Sequence, residues 1–317
     1  MIPNAPPMRQ NRLSGHCPKL EQKLFAFAAF GGSFLSSQRS YFLRLRRQLI
    51  RWRIPEMTLF KTALKAVAAA ALLQAAFALP AAAGENLDKI KSAGVIRIGT
   101  EGTYAPFTFH DASNKLVGFD VEIGEAVAAK LGVKAQFVEG KWDGLIAGID
   151  ADRYDAVINQ VGITDARKQK YAFSEPYIAS KAALIVRDGN DEIKSFDDLK
   201  GKKAAQSLTS NYGKIAEKAG AELVGTDGFD QSIQLVLTRR ADATINDSLS
   251  FLDFKKQKPD APVKIVAEEA DASYSGILLR QGDDELVAEV NKALADIKAD
   301  GTYKTISDKY FGQDVSK

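Results

Sequence analysis

Short apolar runs alternate with segments of helical periodicity from residue 95 onward. The run VIRIGT predicts a buried strand, and GFDVEIGEAVAAKLG, residues 118–132, predicts a helix because Ile123, Val127 and Leu131 recur at four-residue intervals. A glycine ends this helix, as glycine commonly does. KAQFVEG predicts the next strand, WDGLIAGIDADR a short helix and YDAVINQV a third strand. This β-α-β-α-β order indicates a mostly parallel sheet with helices on its faces.

A second set of similar signals begins after Arg187. SFDDLKGKKAAQSL predicts a helix capped by Ser195, with Asp198 three residues on, and then a strand. DQSIQLVLTRRADATIND repeats the helix-Arg-x-Asp-strand order of DGLIAGIDADRYDAVINQ, and both copies end a strand in asparagine, Asn159 and Asn246. Two similar α/β lobes are the simplest interpretation.

Two extended apolar segments, AALIVR (182–187) and YSGILLR (274–280), have the pattern of strands and are predicted to cross between the lobes. The tail, 283–311, is predicted to be helical and to return to the first lobe. Two strands that join two lobes form a hinge, with a cleft between the lobes. The predicted first lobe is 84–183 plus 280–317, and the predicted second lobe is 184–279.

Charge divides the chain into a basic N-terminal part and an acidic body. The 317 residues are 45% hydrophobic and 26% charged, which is typical of a globular protein with room for two modest domains. Residues 1–83 hold 12 of the 43 lysine and arginine residues but only two of the 40 acidic residues, which leaves a net charge of −7 on 84–317. A nucleic-acid partner is therefore not expected for the main body.

Residues 57–83 have the order of parts found in a secretory signal peptide. Two lysines precede an alanine-rich apolar run, and Pro80 and the small residues AAA follow it. A transmembrane anchor or a buried helix is the alternative, but the run is of marginal length and a helix-breaking proline follows it. Cleavage would leave Gly84 at the mature N-terminus. No cysteine follows this point to carry a lipid, so a protein free in the periplasm is expected.

Residues 1–56 precede this segment, although a signal peptide normally begins the chain. Their basic stretch RSYFLRLRRQLIRWRIPE could bind a membrane surface. The favoured interpretation is a gene-model extension or disordered segment ahead of a true start at Met57. The only cysteine, Cys17, lies here, so the mature chain would have no disulfide and no cysteine nucleophile. With His110 as its one histidine, the mature chain is expected to hold no metal and no cofactor.

Polar and aromatic residues follow the predicted strands, at the end of an open parallel sheet where ligands bind. Glu101 and Tyr104 follow the first strand, GITDAR follows the third, and SLTSNY and Asp247 follow strands of the second lobe. A guanidinium and free helix amides suit a carboxylate, and a carboxylate suits an ammonium. Together these groups would match an amino acid zwitterion. Taken alone, Arg167 could equally be a solvated cation and Trp142 an ordinary core residue.

The motifs GTYAPF, GFDVEI, VINQVGITDARKQKYAFSEPY, DLKGKK and DGTYKTISDKYFG together resemble the polar amino acid-binding proteins of bacterial ABC importers. The resemblance covers Leu87 to Lys317, and EGTYAPF, KWDGLIAG, INQV and SNY are most similar to the cystine-binding members. It implies a two-lobed α/β fold of the type II periplasmic binding class, hinged by two crossover strands. It also implies a monomer that captures an amino acid, L-cystine above all, closes on it, and delivers it to a membrane permease with its ATPase.

The resemblance implies ten ligand-binding residues. They are Arg167, Gly162, Ser210 and Asn211 for the ligand carboxylate, Asp247 for its ammonium, Tyr104 and Trp142 as a sandwich around it, and Glu101, Gln160 and Tyr212 for its side chain. Two positions depart from the family pattern: Gly162 replaces a serine or threonine of many relatives, and Thr209-Ser210 replaces the usual Gly-Thr. A threonine does not take φ > 0 cheaply, so a different bend there would displace the Ser210 and Asn211 contacts.

Other functions stay open on the sequence alone. An enzyme on the same scaffold, such as a periplasmic dehydratase resembling the cyclohexadienyl type, would need Glu101 or His110 as a general acid, and no partnered acid–base pair is evident. A soluble sensor subunit and a binding protein for another polar amino acid are further alternatives. No G-x-x-x-x-G-K-[ST] motif occurs, so no nucleotide site is expected. The favoured prediction is a binding protein without enzymatic activity.

Overall fold

The structure, a computed structural model, describes residues 85–316. The predicted extension 1–56, the predicted signal peptide 57–83 and the predicted mature N-terminus Gly84 lie outside the described residues, as does Lys317. Within 85–316, no helix has the length and apolar character needed to cross a membrane.

The described chain begins with the strand-helix units that the apolar pattern predicts. Its first elements are α1 (Glu85–Ala93), β1 (Val95–Thr100), β2 (Thr103–Tyr104), β3 (Thr108–His110), β4 (Leu116–Val117), α2 (Phe119–Leu131), β5 (Lys134–Glu139), α3 (Trp142–Leu145), α4 (Ala147–Asp150), β6 (Ala156–Val157), α5 (Asp165–Lys168) and β7 (Tyr171–Phe173). In α2 the predicted stripe of Ile123, Val127 and Leu131 is buried. Gly132 ends this helix in the left-handed conformation, with φ 77°.

The chain then passes through a second set of units and returns. These elements are β8 (Ile178–Ser180), β9 (Ala182–Arg187), a 3-10 helix (Phe196–Leu199), β10 (Lys203–Gln206), α6 (Asn211–Lys218), β11 (Glu222–Gly225), α7 (Phe229–Leu237), β12 (Ala243–Asp247), α8 (Ser248–Gln257), β13 (Val263–Glu268), β14 (Ser273–Ser275), β15 (Leu278–Arg280), α9 (Asp284–Ala299) and α10 (Thr302–Phe311). The predicted cap is present, because the Ser195 N–H donates to the Asp198 carboxylate at 2.9 Å.

Two five-stranded sheets of matching topology form the cores of two lobes. Their strand orders are β5-β1-β6-β15-β7 and β11-β10-β12-β9-β13. In each sheet the first three strands are parallel, and the last two run antiparallel to their neighbours. The strand that runs against the others, β15 in the first sheet and β9 in the second, is the one that follows a passage between the lobes. The predicted two-lobed α/β fold is therefore confirmed, with sheets that are mixed rather than all parallel.

The strands that pass between the lobes differ in part from the predicted pair. β8 and β14 run antiparallel to each other, with Ser180 opposite Ser273, and they join the two sheets. The run 182–187 forms β9, which lies wholly in the second sheet between β12 and β13, so the predicted lobe boundary at 183/184 falls inside a strand. Its apolar character reflects burial on both faces of that sheet, where the first five residues are buried.

The C-terminal helices pack on the first lobe, as the tail was predicted to do. Tyr310 in α10 accepts a hydrogen bond from the Gly118 N–H at 3.1 Å and donates to Glu122 at 2.6 Å. Both partners lie at the start of α2. The end of the chain thus fixes the helix that follows the β2–β4 hairpins beside the cleft.

Gly118 precedes α2 in a conformation that other residues avoid, with φ 135°. A Cβ atom there would lie 2.2 Å from the carbonyl oxygen of Phe107, which is backbone and cannot turn aside. We predict that Gly118→Ala lowers the free energy of unfolding by about 3 kcal/mol, because it combines backbone strain with overpacking. Urea unfolding measures this change.

Gly144→Ala is the matched control. Gly144 lies in α3, and a Cβ atom there would meet nothing within 4 Å. Alanine favours a helix over glycine, so this variant should be as stable as the unmodified chain or slightly more stable. Equal stability of the Gly118 and Gly144 variants would contradict the argument from close contact.

Candidate functional site

A cavity of about 460 Å³, including its open mouth, lies between the lobes at the strand ends. Seven of the ten predicted site residues line it, together with seven that were not predicted. The predicted ones are Glu101, Tyr104, Trp142, Gln160, Ser210, Asn211 and Tyr212, and the others are Asn159, Gln206, Ser207, Gly228, Phe229, Ser232 and Asn246.

Sequence signals existed for most of the lining residues that were not predicted. Asn159 and Asn246 are the asparagines that end the two repeated strand patterns. Gln206 ends β10 and Ser207 follows it, so the strand-end argument applied to β10 would have included both. Phe229 begins α7, directly after β11 and its turn. What the sequence lacks is a sign that all these ends face one cavity.

Glu101 is held rigidly at the end of β1 by Asn159. The Asn159 Oδ1 atom accepts from the Glu101 backbone N–H at 2.7 Å, and its Nδ2 donates to Glu101 Oε2 at 2.6 Å. Burial raises the pKa of Glu101 to about 7, although the hydrogen bond from Asn159 opposes this. The pocket therefore contains a carboxyl group that exchanges its proton near neutral pH.

Two aromatic side chains from the first lobe line the cavity. The Tyr104 hydroxyl donates to Asn246 Oδ1 at 2.7 Å and so spans the two lobes. Trp142 is 8% exposed, and its Nε1 has no hydrogen-bond partner among the described residues. The guanidinium of Arg167 lies over the Trp142 ring, 5.3 Å from its centre.

Arg167 is a half-buried cation without an acidic partner. Thr164 caps its helix α5, and Arg167 Nη1 donates to the Gly162 carbonyl oxygen at 2.9 Å. Within residues 85–316 no carboxylate lies within 4 Å of this guanidinium. Burial lowers the pKa of Arg167 to about 10, which still leaves it charged at neutral pH.

Asp247 is the buried anion of the second lobe, with 1% of its surface exposed. It accepts hydrogen bonds from the Tyr212 hydroxyl at 3.2 Å, from the Leu249 N–H at 2.9 Å and from the Ser180 hydroxyl. No cationic side chain of the described part lies within 4 Å of it. Burial raises the pKa of Asp247 to about 6.

Tyr212 lies within the influence of both charges. Its hydroxyl donates to Asp247, and burial raises its pKa well above the usual value while the positive charge of Arg167 acts in the opposite direction. The unpaired cation and the unpaired anion therefore act on the same phenol at the cavity wall.

Gly162, Arg167 and Asp247 lie beside the cavity rather than in its wall. A Cβ atom at Gly162 would be 3.5 Å from both Arg167 Nη1 and Asn211 Nδ2, so this glycine lies where the lobes meet. Those are ordinary contact distances. The position has space for a Cβ atom, so close packing does not impose the glycine.

Thr209-Ser210, which departs from the Gly-Thr expected from the family resemblance, does not distort the loop before α6. Thr209 is not among the described residues with positive φ. Ser210 caps the helix: its hydroxyl accepts from the Gly213 N–H at 2.9 Å and donates to the Ser207 carbonyl at 2.7 Å. The Ser210 N–H also donates to the Ser207 carbonyl, at 3.1 Å, and is therefore not free.

Polar contacts join the lobes around the cavity. Asp143 in α3 accepts from the Thr209 N–H at 3.0 Å and from its hydroxyl at 2.9 Å. Lys141 forms a 2.6 Å ion pair with Asp227 on the other side of the cleft. These contacts belong to a closed arrangement. Among the described residues, no group of three His, Cys, Asp or Glu side chains is placed to hold a metal ion.

Comparison with known proteins identifies relatives of one functional class. The family of bacterial extracellular solute-binding proteins, family 3, matches residues 96–313. A protein of Haemophilus influenzae named "Probable amino-acid ABC transporter-binding protein" is 45% identical over 76% of this chain and 94% of its own. The protein of Bacillus subtilis named "L-cystine-binding protein TcyA" is 46% identical over 74% of this chain and 87% of its own.

Two solved structures are similar to this chain in fold and sequence. An ancestral arginine-binding protein bound to arginine is 42% identical, with a TM-score of 0.66 over 69% of this chain and 99% of that one. The L-cystine solute receptor of Neisseria gonorrhoeae, unliganded and open, is 48% identical, yet its TM-score is 0.50 over 73% of this chain and 99% of that one. Both have the two-lobed fold described above.

The raised pKa values predict how stability depends on pH. Glu101 and Asp120 have a pKa of about 7 in the fold and Asp247 about 6, in each case because of burial. The folded state thus holds more protons than the unfolded state between about pH 4 and 7. The free energy of unfolding without ligand should fall as pH rises from 5 to 8, by up to about 1.4 kcal/mol per pH unit and group.

Urea unfolding at pH 5, 6, 7 and 8 measures this fall. Glu101→Gln should flatten part of it, because the amide keeps an acceptor for Asn159 and cannot ionise. Glu222→Gln, on the exposed side of β11, is the matched control and should leave the slope unchanged. A free energy of unfolding that rises across this pH range would contradict the burial of three ionisable carboxyl groups.

Proposed function

We propose that this chain, which belongs to the bacterial extracellular solute-binding proteins of family 3, binds L-cystine in the cleft between its lobes and delivers it to an ABC importer. The class of amino acid-binding proteins has support from the names of relatives that are 45% and 46% identical. The choice of cystine has support from the second of these and from the cystine receptor of Neisseria gonorrhoeae.

The observation that carries the proposal is the pair of unmatched charges. Arg167 belongs to the first lobe and Asp247 to the second, and neither has an opposite charge within 4 Å in the described structure. Buried charges are normally paired, because desolvation is costly. The carboxylate and ammonium of a free amino acid would match both. The Asn211 N–H at the start of α6 would add a donor for the carboxylate, whereas the Ser210 N–H already donates to the Ser207 carbonyl at 3.1 Å.

The remaining part of the cavity suits a long ligand with a polar far end. Tyr104 and Trp142 offer apolar surface, and Glu101 and Gln160 offer polar groups. A disulfide lies comfortably against aromatic rings, and the second amino acid head of cystine needs polar partners. Arginine remains a rival ligand, because an arginine-bound relative is 42% identical.

An enzymatic function has less support. Glu101 has the proton affinity of a general acid, but its carboxyl is held by Asn159 and no second acid–base group pairs with it. His110 does not line the cavity; its ring lies 3.3 Å from Glu139 and 3.2 Å from the Gly102 carbonyl. We therefore propose that the chain is a binding protein without enzymatic activity. Turnover of a cyclohexadienyl substrate would contradict this.

The location and partners follow from this function. We propose export to the periplasm by a cleaved signal peptide, capture of the amino acid by a monomer, and recognition of the closed form by a permease with its ATPase. The expected net charge of −7 on residues 84–317 and the resemblance to importer proteins support this arrangement.

Removal of either charge should weaken ligand binding strongly. Loss of one partner of a buried charge pair typically costs about 2–5 kcal/mol, or roughly 30- to 5,000-fold in affinity. We expect losses of this order for Arg167→Met, which keeps the stem on Trp142, and for Asp247→Asn, which keeps a helix cap. Calorimetric titration with L-cystine measures both.

Each variant has a matched control. Arg153→Met removes an arginine that also lies over an aromatic ring, that of Tyr154 at 5.8 Å, but outside the cavity. Asp198→Asn removes another capping carboxylate, in an exposed position. Both controls should bind L-cystine as the unmodified chain does. A loss of less than about threefold for Arg167→Met or Asp247→Asn would return that residue to a structural role.

The emission of Trp142 should report binding and selectivity. The chain has two tryptophans, and Trp52→Phe leaves Trp142 alone. Because Trp142 lines the cavity under Arg167, ligand entry must change its surroundings and shift or quench its emission. Titration should saturate with L-cystine at the lowest concentration, whereas glutamine, histidine and arginine should require far more.

The order of the concentrations at which the amino acids saturate the change in Trp142 emission decides between the candidate ligands. Saturation by arginine or glutamine before cystine would overturn the cystine assignment and leave the amino acid-binding class in place. If calorimetry shows tight binding and the emission of Trp142 does not change, the assignment of Trp142 to the ligand site is wrong. Trp142→Phe in the same background is the control for signal from other sources.

A further inference from the structure

Three buried polar atoms of the described residues have no hydrogen-bond partner, and all three belong to side chains that line the cavity. They are Trp142 Nε1, Gln160 Oε1 and Gln206 Nε2. Most buried polar atoms in proteins are paired, because an unpaired one loses its hydration without compensation. Their concentration at one cavity indicates that something else binds there and supplies the missing partners.

Two of these atoms have a fixed chemical role. The indole Nε1 of Trp142 can only donate. Gln160 Nε2 donates to Asp120 Oδ1 at 3.0 Å, and its backbone N–H donates to Asp120 Oδ2 at 2.7 Å, so Oε1 is the atom left free to accept. The amide of Gln206 can turn over, and so it can complement either kind of group.

Gln206 reaches the cavity from the opposite side. It ends β10 in the second lobe and is 2% exposed, whereas Gln160 and Trp142 belong to the first lobe. A ligand group between them would contact both lobes. This position was not predicted from the sequence, and Gln206 makes no side-chain hydrogen bond among those found in 85–316 that would explain a burial of this degree.

The free atoms do not serve the α-carboxylate and α-ammonium of the ligand in the function proposed above. Arg167 and Asp247 carry the charges that match those two groups. The remaining atoms must then face the far end of the ligand, which has to accept from Trp142 and donate to Gln160. A guanidinium has no acceptor and cannot do both, whereas a second amino acid head can.

We propose that Gln206 is a specificity-determining residue that binds the distal polar end of the ligand, together with Gln160 Oε1 and Trp142 Nε1. The subsite takes a group that both accepts and donates, such as the second amino acid head of cystine. The inference rests on the proposed amino acid-binding function. It goes beyond that function by naming a residue that binds the distal end of the ligand.

The test compares two ligands that share one head. L-Cystine has a distal amino acid head, and S-methyl-L-cysteine has the same α-groups and sulfur without it. Gln206→Leu should weaken calorimetric binding of L-cystine at least about tenfold, because a buried polar group of the ligand loses its partner. Its effect on S-methyl-L-cysteine should stay below about threefold.

A matched control and a stability measurement separate recognition from folding. Gln234→Leu makes the same change on the exposed face of α7, outside the cavity, and should alter neither affinity. Because Gln206→Leu removes an unpaired buried polar atom, the thermal midpoint without ligand should equal or exceed that of the unmodified chain. If the leucine variant does not fold, Gln206→Met replaces it, and the same effects on the binding of L-cystine and of S-methyl-L-cysteine are expected.

The possible outcomes are distinct. A selective loss for L-cystine supports the subsite. An equal loss for both ligands, or no loss for either, overturns it while the amino acid-binding function stands. If the unmodified chain binds other amino acids but not L-cystine, the proposed ligand is wrong and the distal subsite is overturned with it.

Discussion

The buried carboxylate of Asp120 is the interaction on which the geometry of the first lobe depends. It accepts from both nitrogens of Gln160 and, at 2.9 Å, from the Tyr177 hydroxyl. Gln160 has φ 51°, which residues other than glycine seldom adopt, and Tyr177 directly precedes the strand β8 that leaves the lobe. One acceptor therefore fixes a cavity residue and the entry to the hinge. Three donors would lose their partner without it, which explains why a carboxylate can be buried there.

Unlike the hydrogen-bond network around Asp120, the cavity has charged and polar groups nearby that lack partners. Asp120 is surrounded by donors, whereas Arg167 and Asp247 lack opposite charges and Gln206 Nε2 lacks any partner among the described residues. In the described structure neither the Arg167 guanidinium nor the Asp247 carboxylate has an opposite charge of the other lobe within 4 Å. Their positions are nevertheless fixed by neighbours, Arg167 by the Gly162 carbonyl and Trp142, and Asp247 by hydroxyl and amide donors. A site of this kind is preorganised, so a ligand loses little of its binding energy in ordering it.

The apolar pattern predicted the two lobes, and seven of the fourteen residues that line the cavity were among those predicted from the sequence. Strand ends could be read from apolar runs, and polar residues at those ends, such as Glu101 and Asp247, then pointed to a cleft. The crossing strands could not be read in this way, since an apolar run like that of β9 has the same appearance in a sheet interior and in a passage between lobes. The unpaired Nε2 atom of Gln206 could likewise not be predicted, because a missing partner is a property of three-dimensional packing. The contact of Asp143 with Thr209 joins residues 66 positions apart and leaves no local signal.

The exposed ion pair between the lobes contributes little to holding the cleft shut. The side chains of Lys141 and Asp227 are 72% and 64% exposed, and ion pairs of this kind contribute about 0–1 kcal/mol. A ligand shifts the balance only by its different affinity for the open and closed forms. A carboxylate alone would be bound by Arg167 of the first lobe, and an ammonium alone by Asp247 of the second. In the proposed function, a molecule that carries both groups would contact the two charges at once, so the division of the charges between the lobes would make closure selective for amino acids.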